Sequence, residues 1–372
     1  DILLSQKTKK YIVLNRLATQ YEEISEIFIQ HNEIHEAEEY LKKAIKVREG
    51  VLDRIDSEKN QSDLCSDYGK LANLLSKKTS ITYSEFEEIN ELYQKTLNIS
   101  RKLFHKSSDI LELNNYHATL IRLGDINEAY SESLLKIQYI YEENSSTVVY
   151  PDEIKSKELR KLCENYYLQS IEILEGIQVN DSIDLKRLRV VSYNRCANFY
   201  ENEEKNKAKI YGMQAIELST QISEETKEIA DYKSQYICIY RYGEICSDSL
   251  EKYTDESLEY FSKALQCAKV IHRMDETIDN YKELANSYKR IGLIQFLKED
   301  MQEALKFFML AMEVFQNISK NNTDEVKYDL AQCYKYIGTI YFAMKNKEKG
   351  KKYLRKMLAI ENPGQEFCLD YL

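Results

Sequence analysis

The run His31-Asn32-Glu33-Ile34-His35 is where side-chain types in this chain come nearest to a catalytic motif. A zinc protease needs H-E-x-x-H on one continuous helix, so that two imidazoles share a face and a glutamate follows the first. Here Asn32 holds the second position, and Gln30-His31-Asn32 reads as a break between two helical runs, so no metal is expected. The five histidines are scattered and offer no Cys–His or Ser–His arrangement for nucleophilic chemistry. No G-x-x-x-x-G-K-[ST] loop is present to cradle phosphate. The eight cysteines contain no C-x2-C pair. Cys196, Cys246 and Cys333 fall at apolar helical positions, where thiols serve as small core residues in a reducing cytoplasm. Neither a cofactor nor a catalytic centre is expected.

What remains is a surface that binds, and composition says what kind. Two prolines and ten glycines in 372 residues are few against roughly 5% and 7% in average usage, so strand-and-turn punctuation is nearly absent. A hydrophobic fraction of 43% is ample for a continuous core. The net charge of −10 argues against nucleic acid, whose binding relies on Lys and Arg neutralising phosphates. No apolar run reaches the roughly 18 to 20 residues of a membrane span. The chain opens at Asp1, which fits a segment cut from a longer protein with a separate effector domain.

Apolar residues recur at helical spacing. Tyr11, Leu14, Leu17, Ala18, Tyr21, Ile24 and Phe28 share one face, followed by Ala37, Leu41, Ala44 and Ile45. The spacing predicts helical hairpins at 8–45, at 61–77 with 83–104, and at 109–123 with 126–143. In the last of these, Gly124-Asp125 is the turn, His117 the close-contact position and Ala129 the small residue of the second helix. Residues 144–182 break the rhythm. Pro151 marks a helix start, and 152–178 reads as one long helix, or a degenerate hairpin, before a turn at Val179-Asn180-Asp181. Four clearer hairpins follow, the last closing near Pro363.

The best unit is Tyr288–Ala311, with a short turn at Lys298-Glu299-Asp300. Tyr288, Ile291, Gly292 and Gln295, then Ala304, Phe308 and Ala311, resemble the tetratricopeptide pattern W-x2-L-G-x2-Y…A-x3-F. The small residues Ala197, Gly243, Gly292 and Gly338 repeat at intervals of 46, 49 and 46. That period is similar to the long-helix variants of the family, such as kinesin light chain and the peptide-pheromone receptors of Gram-positive bacteria. The resemblance implies an all-α fold: a right-handed superhelix, or α-solenoid, of about seven helical hairpins plus one irregular unit. It divides as 1–143 with three hairpins, 144–182 as an irregular unit and candidate hinge, and 183–372 with four.

The resemblance also implies a groove lined by the first helix of each hairpin, at slots three before, two before and one after the small residue. Those slots hold Asn194, Arg195 and Asn198, then Tyr240, Arg241 and Glu244, then Lys289 and Arg290, then Lys335 and Tyr336. In the first half they hold Glu22, Glu23 and Glu26, then Lys70 and Asn73, then Asn114 and Asn115. Asparagine offers a donor and an acceptor to a peptide backbone, and Lys and Arg favour carboxylates. The expected partner is therefore a protein or extended peptide, with acidic groups a candidate feature, bound nearer the second half. The same residues would also serve as solvated faces of amphipathic helices. The expectation is a non-catalytic scaffold, with a ligand-sensing regulatory region of a larger protein as the alternative. Pairing of terminal hairpins between copies of the chain is open.

Overall fold

The helical periodicity becomes fourteen helices among the described residues of a computed structural model. Described are residues 2–78, 80–107, 109–136, 138–142, 145–149, 151–177, 182–247, 254–319 and 326–361. The turn expected at Val179-Asn180-Asp181 and the close near Pro363 lie outside them. The chain divides into two compact units, Asp1–Val179 and Asn180–Leu372. Each is a stack of antiparallel helix pairs.

In the first unit α1 (Ile2–Gln30) pairs with α2 (Ile34–Leu52), α3 (Glu58–Leu75) with α4 (Tyr83–Ser107), and α5 (Ile110–Ser133) with α6 (Glu153–Glu175). Between α5 and α6 lies an antiparallel ribbon of β1 (Gln138–Glu142) and β2 (Ser145–Val149), in register from Gln138 opposite Val149 to Glu142 opposite Ser145. In the second unit α7 (Ile183–Tyr200) pairs with α8 (Lys205–Thr226), and α9 (Ile229–Ile245) with α10 (Asp255–Met274). Last come α11 (Ile278–Leu297) with α12 (Met301–Ser319), and α13 (Lys327–Ala343) with α14 (Lys347–Glu361).

Local chemistry sets the helix starts. Ser57, Ser182, Thr254 and Thr277 each accept a hydrogen bond from the backbone N–H three residues on, satisfying a donor that the first turn leaves orphaned. Thr82 and Glu85 cap reciprocally: Glu85 N–H donates to Thr82 Oγ1, and Thr82 N–H to Glu85 Oε2 at 2.9 Å.

Three of the pairs share one turn design. Asn32, Glu299 and Lys345 adopt left-handed φ of 61°, 62° and 61°. In each, the next N–H reaches back five residues: Glu33 to Phe28, Asp300 to Gln295 and Asn346 to Tyr341. This closes the first helix, and Asp300 and Asn346 then cap the second by accepting from Glu303 and Lys349 N–H. The metal-like run at 31–35 is thus a turn at 31–33 followed by the first residues of α2. His31 Nδ1 lies 2.8 Å from Ile27 O.

Packing within a pair is a small residue of the first helix against a large one of the second. A Cβ on Gly243 would sit 3.1–3.2 Å from three ring atoms of Phe261, and one on Gly292 3.2–3.3 Å from Phe308. Gly338 meets Leu354 in the same way at 2.9 Å. Such interdigitation is what an interior packed to a density of about 0.74 demands.

The third pair corrects the sequence reading. Gly124-Asp125 is not a turn, because α5 runs unbroken from Ile110 to Ser133. Its helical partner is α6, not 126–143. Gly124 is buried, and a Cβ there would lie 2.7 Å from Cδ1 and 2.8 Å from Cζ of Tyr167 on α6. Gly124 is therefore the close-contact residue, and His117 is not. Ala129, expected as a small core residue, is exposed. The single-helix reading of 152–178 holds, as α6.

Candidate functional site

The first helices of consecutive pairs lie side by side, so residues four apart on each present a common polar face. In the second unit, α9, α11 and α13 enclose a cleft of about 760 Å³. Its lining includes Tyr236, Ile237, Tyr240, Arg241 and Glu244 from α9, then Glu283, Asn286, Lys289, Arg290 and Leu293 from α11, with Asp329 from α13. Four predicted residues come together here: Tyr240, Arg241, Lys289 and Arg290.

Their cations are already engaged. Arg290 Nε–H donates to Tyr240 Oη at 2.9 Å, and its Nη2 reaches Glu244 Oε1 at 3.0 Å. The guanidinium also lies 5.6 Å and 5.5 Å from the ring centres of Tyr240 and Phe261, within range for a cation–π contact. Arg241 Nη1 donates to the other oxygen of Glu244 at 2.9 Å. Lys289 pairs with Asp329 across to the next hairpin. A related tie lies one hairpin earlier, where Arg187 of α7 holds Asp231 of α9 at 2.9 and 2.7 Å. Hydrogen bonding by Arg187 keeps the Asp231 carboxyl below its ordinary range, against the opposing effect of burial.

Glu283 differs from its neighbours. Among the described residues no ion pair reaches it, and its Oε2, shielded from solvent, accepts no hydrogen bond. Burial raises its carboxyl above the ordinary value; Lys233 opposes this through space and Asp279 adds to it.

The remaining predicted residues are placed elsewhere. Asn194 donates to Cys238 Sγ at 2.9 Å, joining α7 to α9. Asn198 is half-buried with its Oδ1 shielded and unbonded, and Arg195 is exposed. Lys335 is exposed outside the cleft lining. Tyr336 is stacked on Phe308, ring centres 4.7 Å apart and planes 8° from parallel, and meets Phe296 edge-on. It is packing between α12 and α13.

Sequence reasoning missed Tyr236, Ile237, Glu283, Asn286 and Asp329. The signal was present: Asn286 and Glu283 precede Arg290 by four and seven residues, continuing the same face of α11 toward its start.

The first unit has its own polar cleft of about 480 Å³ between α3 and α5. Of the first-half slots, Lys70, Asn73 and Asn115 line it, with Ser62, Ser66 and Arg122 among the others. Lys70 is held by Glu22 and Glu26 of α1 at 2.5 and 2.7 Å, and Asn73 accepts from Tyr93 Oη–H at 2.8 Å.

A family model described as tetratricopeptide repeat matches residues 21–50, the end of α1 and nearly all of α2. The helix pair there is a repeat of the tetratricopeptide type. Solved structures carry the same helical repeat architecture. A tetratricopeptide-repeat sensor protein of Pyrococcus horikoshii, a signal transduction ATPase with numerous domains, is 17% identical with a TM-score of 0.50. The match covers 94% of this chain and 44% of that one, so the chain spans less than half of it. BtubC from P. vanneervenii is 15% identical with a TM-score of 0.49, over 76% of this chain and 97% of that one. A Rap protein complexed with competence and sporulation factor is 13% identical with a TM-score of 0.39, over 94% and 78%. Comparison with curated sequences gives no significant match. No helix among the described residues is long and apolar enough to cross a membrane.

Proposed function

We propose that the chain is a non-catalytic binding protein whose cleft between α9, α11 and α13 holds an extended segment of a partner protein. The observation that carries this reading is the convergence of three consecutive first helices on one cleft of about 760 Å³, within the range of sites that bury a ligand. Its lining supplies what a peptide needs. Asn286 offers both a donor and an acceptor to backbone amides. The exposed Ile237 and the half-buried Leu293 supply a small apolar floor. Among the described lining residues there is no serine, cysteine or histidine, which favours recognition over nucleophilic chemistry. A cytoplasmic setting belongs to the same reading. The seven described cysteines are free, and burial pushes the thiols of Cys333 and Cys65 up to about 12, which leaves them unreactive.

A phage-displayed dodecapeptide library selected on the full chain tests this. Enriched peptides should bind the wild-type chain and lose at least tenfold in affinity to Asn286→Ala or Ile237→Ala, with helicity by circular dichroism unchanged. Enriched peptides that ignore both substitutions would place recognition elsewhere and overturn the reading.

A further inference from the structure

We infer that the occupant of this cleft presents a basic side chain, lysine or arginine, and that Glu283 is its counter-ion; the inference rests on the cleft being the binding site. Lysine and arginine slots in a repeat groove suggest an acidic ligand, but here every cleft cation is spent on a carboxylate of the chain itself. Glu244 is shared by Arg241 and Arg290, and Asp329 is taken by Lys289. An acidic ligand would have to break one of these pairs and leave Glu244 or Asp329 without its cation, and an unpaired carboxylate in a part-buried wall is costly.

The remaining charge points the other way. Glu283 is the one carboxylate of the cleft lining that forms no ion pair among the described residues, and one of its oxygens is both shielded and unbonded. Such a group calls for a donor. Its surroundings suit a long basic side chain. The buried Tyr236 stands behind the same wall, its hydroxyl 3.5 Å from the Glu283 backbone oxygen. The exposed Ile237 of the neighbouring helix can cover the aliphatic stem while the charged head reaches the carboxylate. The raised carboxyl of Glu283 agrees with a site that awaits its cation.

The experiment uses the dodecapeptides enriched on the full chain, resynthesised with a fluorophore and titrated by anisotropy. Each is also made with its lysine or arginine replaced by norleucine, and by glutamate. The expected result is a recurrent basic residue whose replacement by norleucine weakens binding to the wild-type chain about tenfold or more, the scale of a charge-assisted hydrogen bond. Glu283→Gln should cause a similar loss with the parent peptide and little further loss with the norleucine peptide. The norleucine arm needs no variant protein, so misfolding of Glu283→Gln cannot decide the outcome. An acidic or neutral consensus, or Glu283→Gln binding as tightly as wild type while Asn286→Ala does not bind, overturns this inference and leaves the cleft reading standing. Failure to enrich any peptide, or binding indifferent to every cleft substitution, removes both.

Discussion

Replacing Gly124 with alanine separates the α5–α6 pairing from the hairpin with a turn at 124–125. In an unbroken helix the substitution should help, since alanine is favoured over glycine by about 1 kcal/mol in a helix interior. The structure reverses that sign. The new Cβ would fall within 2.8 Å of the Cδ1 and Cζ atoms of Tyr167 and nearer still to Cε1. The ring cannot swing away cheaply. It is 1% exposed, and its hydroxyl donates toward Asp125 Oδ1 at 2.8 Å and Glu128 Oε2 at 2.9 Å. Overpacking of this kind costs about 1–3 kcal/mol, and losing a hydrogen bond to a charged acceptor about 1.5–3 kcal/mol more. After the helix gain is subtracted, the net loss is about 1.5–5 kcal/mol. Hydrogen exchange read by mass spectrometry on the full chain is the suitable assay, because each helix pair reports its own opening. Peptides from α5 and α6 should exchange about 10- to 4,000-fold faster, at about 1.4 kcal/mol per tenfold. Those from α11 and α12 should be unchanged. In a Tyr167→Ala background the clash is gone, and Gly124→Ala should be neutral or stabilising by up to about 1 kcal/mol. Slower exchange in α5 for the single variant, or strict additivity with Tyr167→Ala, would refute the reasoning.

Three further outcomes follow from the structure. Lys345→Gly should raise the melting temperature, because a residue with a Cβ in the left-handed region costs about 1–2 kcal/mol that glycine avoids; an unchanged or lower value would count against strain at that turn. Asp67 is fully buried against Arg48, and burial outweighs the guanidinium to push its carboxyl up to about 7, from 3.8. The folded state then holds a proton between about pH 4 and 7 that the unfolded chain has released, so stability should fall as pH rises through that window. Asp67→Asn should be flatter across it, and parallel melting curves against pH would contradict this. Tyr336→Ala should cost about 2 kcal/mol in stability through its stacking on Phe308, while leaving affinity for an enriched peptide within twofold by anisotropy.

The repeat architecture was legible because its determinants are local. Gly292 with Phe308 and Gly338 with Leu354 lie sixteen residues apart, and Gly243 with Phe261 eighteen, so periodicity finds them. Gly124 and Tyr167 obey the same contact rule at a separation of forty-three. Without the expected interval, a Gly-Asp pair after a helical run reads as a turn. The cleft was half legible for a different reason. Slots counted from the small residue fix azimuth around a helix, and they found Tyr240, Arg241, Lys289 and Arg290. They do not fix how far one helix slides along the next. Lys289 stands three residues before Gly292, yet its partner Asp329 stands nine before Gly338. That stagger of six residues is about 9 Å of helix at 1.5 Å per residue, set by packing that sequence does not display. Hence the cations were visible and their partners were not.

The ribbon between α5 and α6 shows that a repeat's loop and its interior can be edited independently. Where three of the other pairs turn in three residues, this one spends nineteen, from Leu134 to Asp152. The extension is pinched at its base, with Asp152 N–H donating to Leu134 O at 2.9 Å and Ser156 Oγ–H to Ser131 O at 2.9 Å. Closing nineteen residues instead of three costs only about 1.6 kcal/mol in chain entropy, less than one well-packed aromatic returns. That corner of the fold is thus a port: foreign sequence can be lengthened, shortened or exchanged there while the helices beneath keep their register.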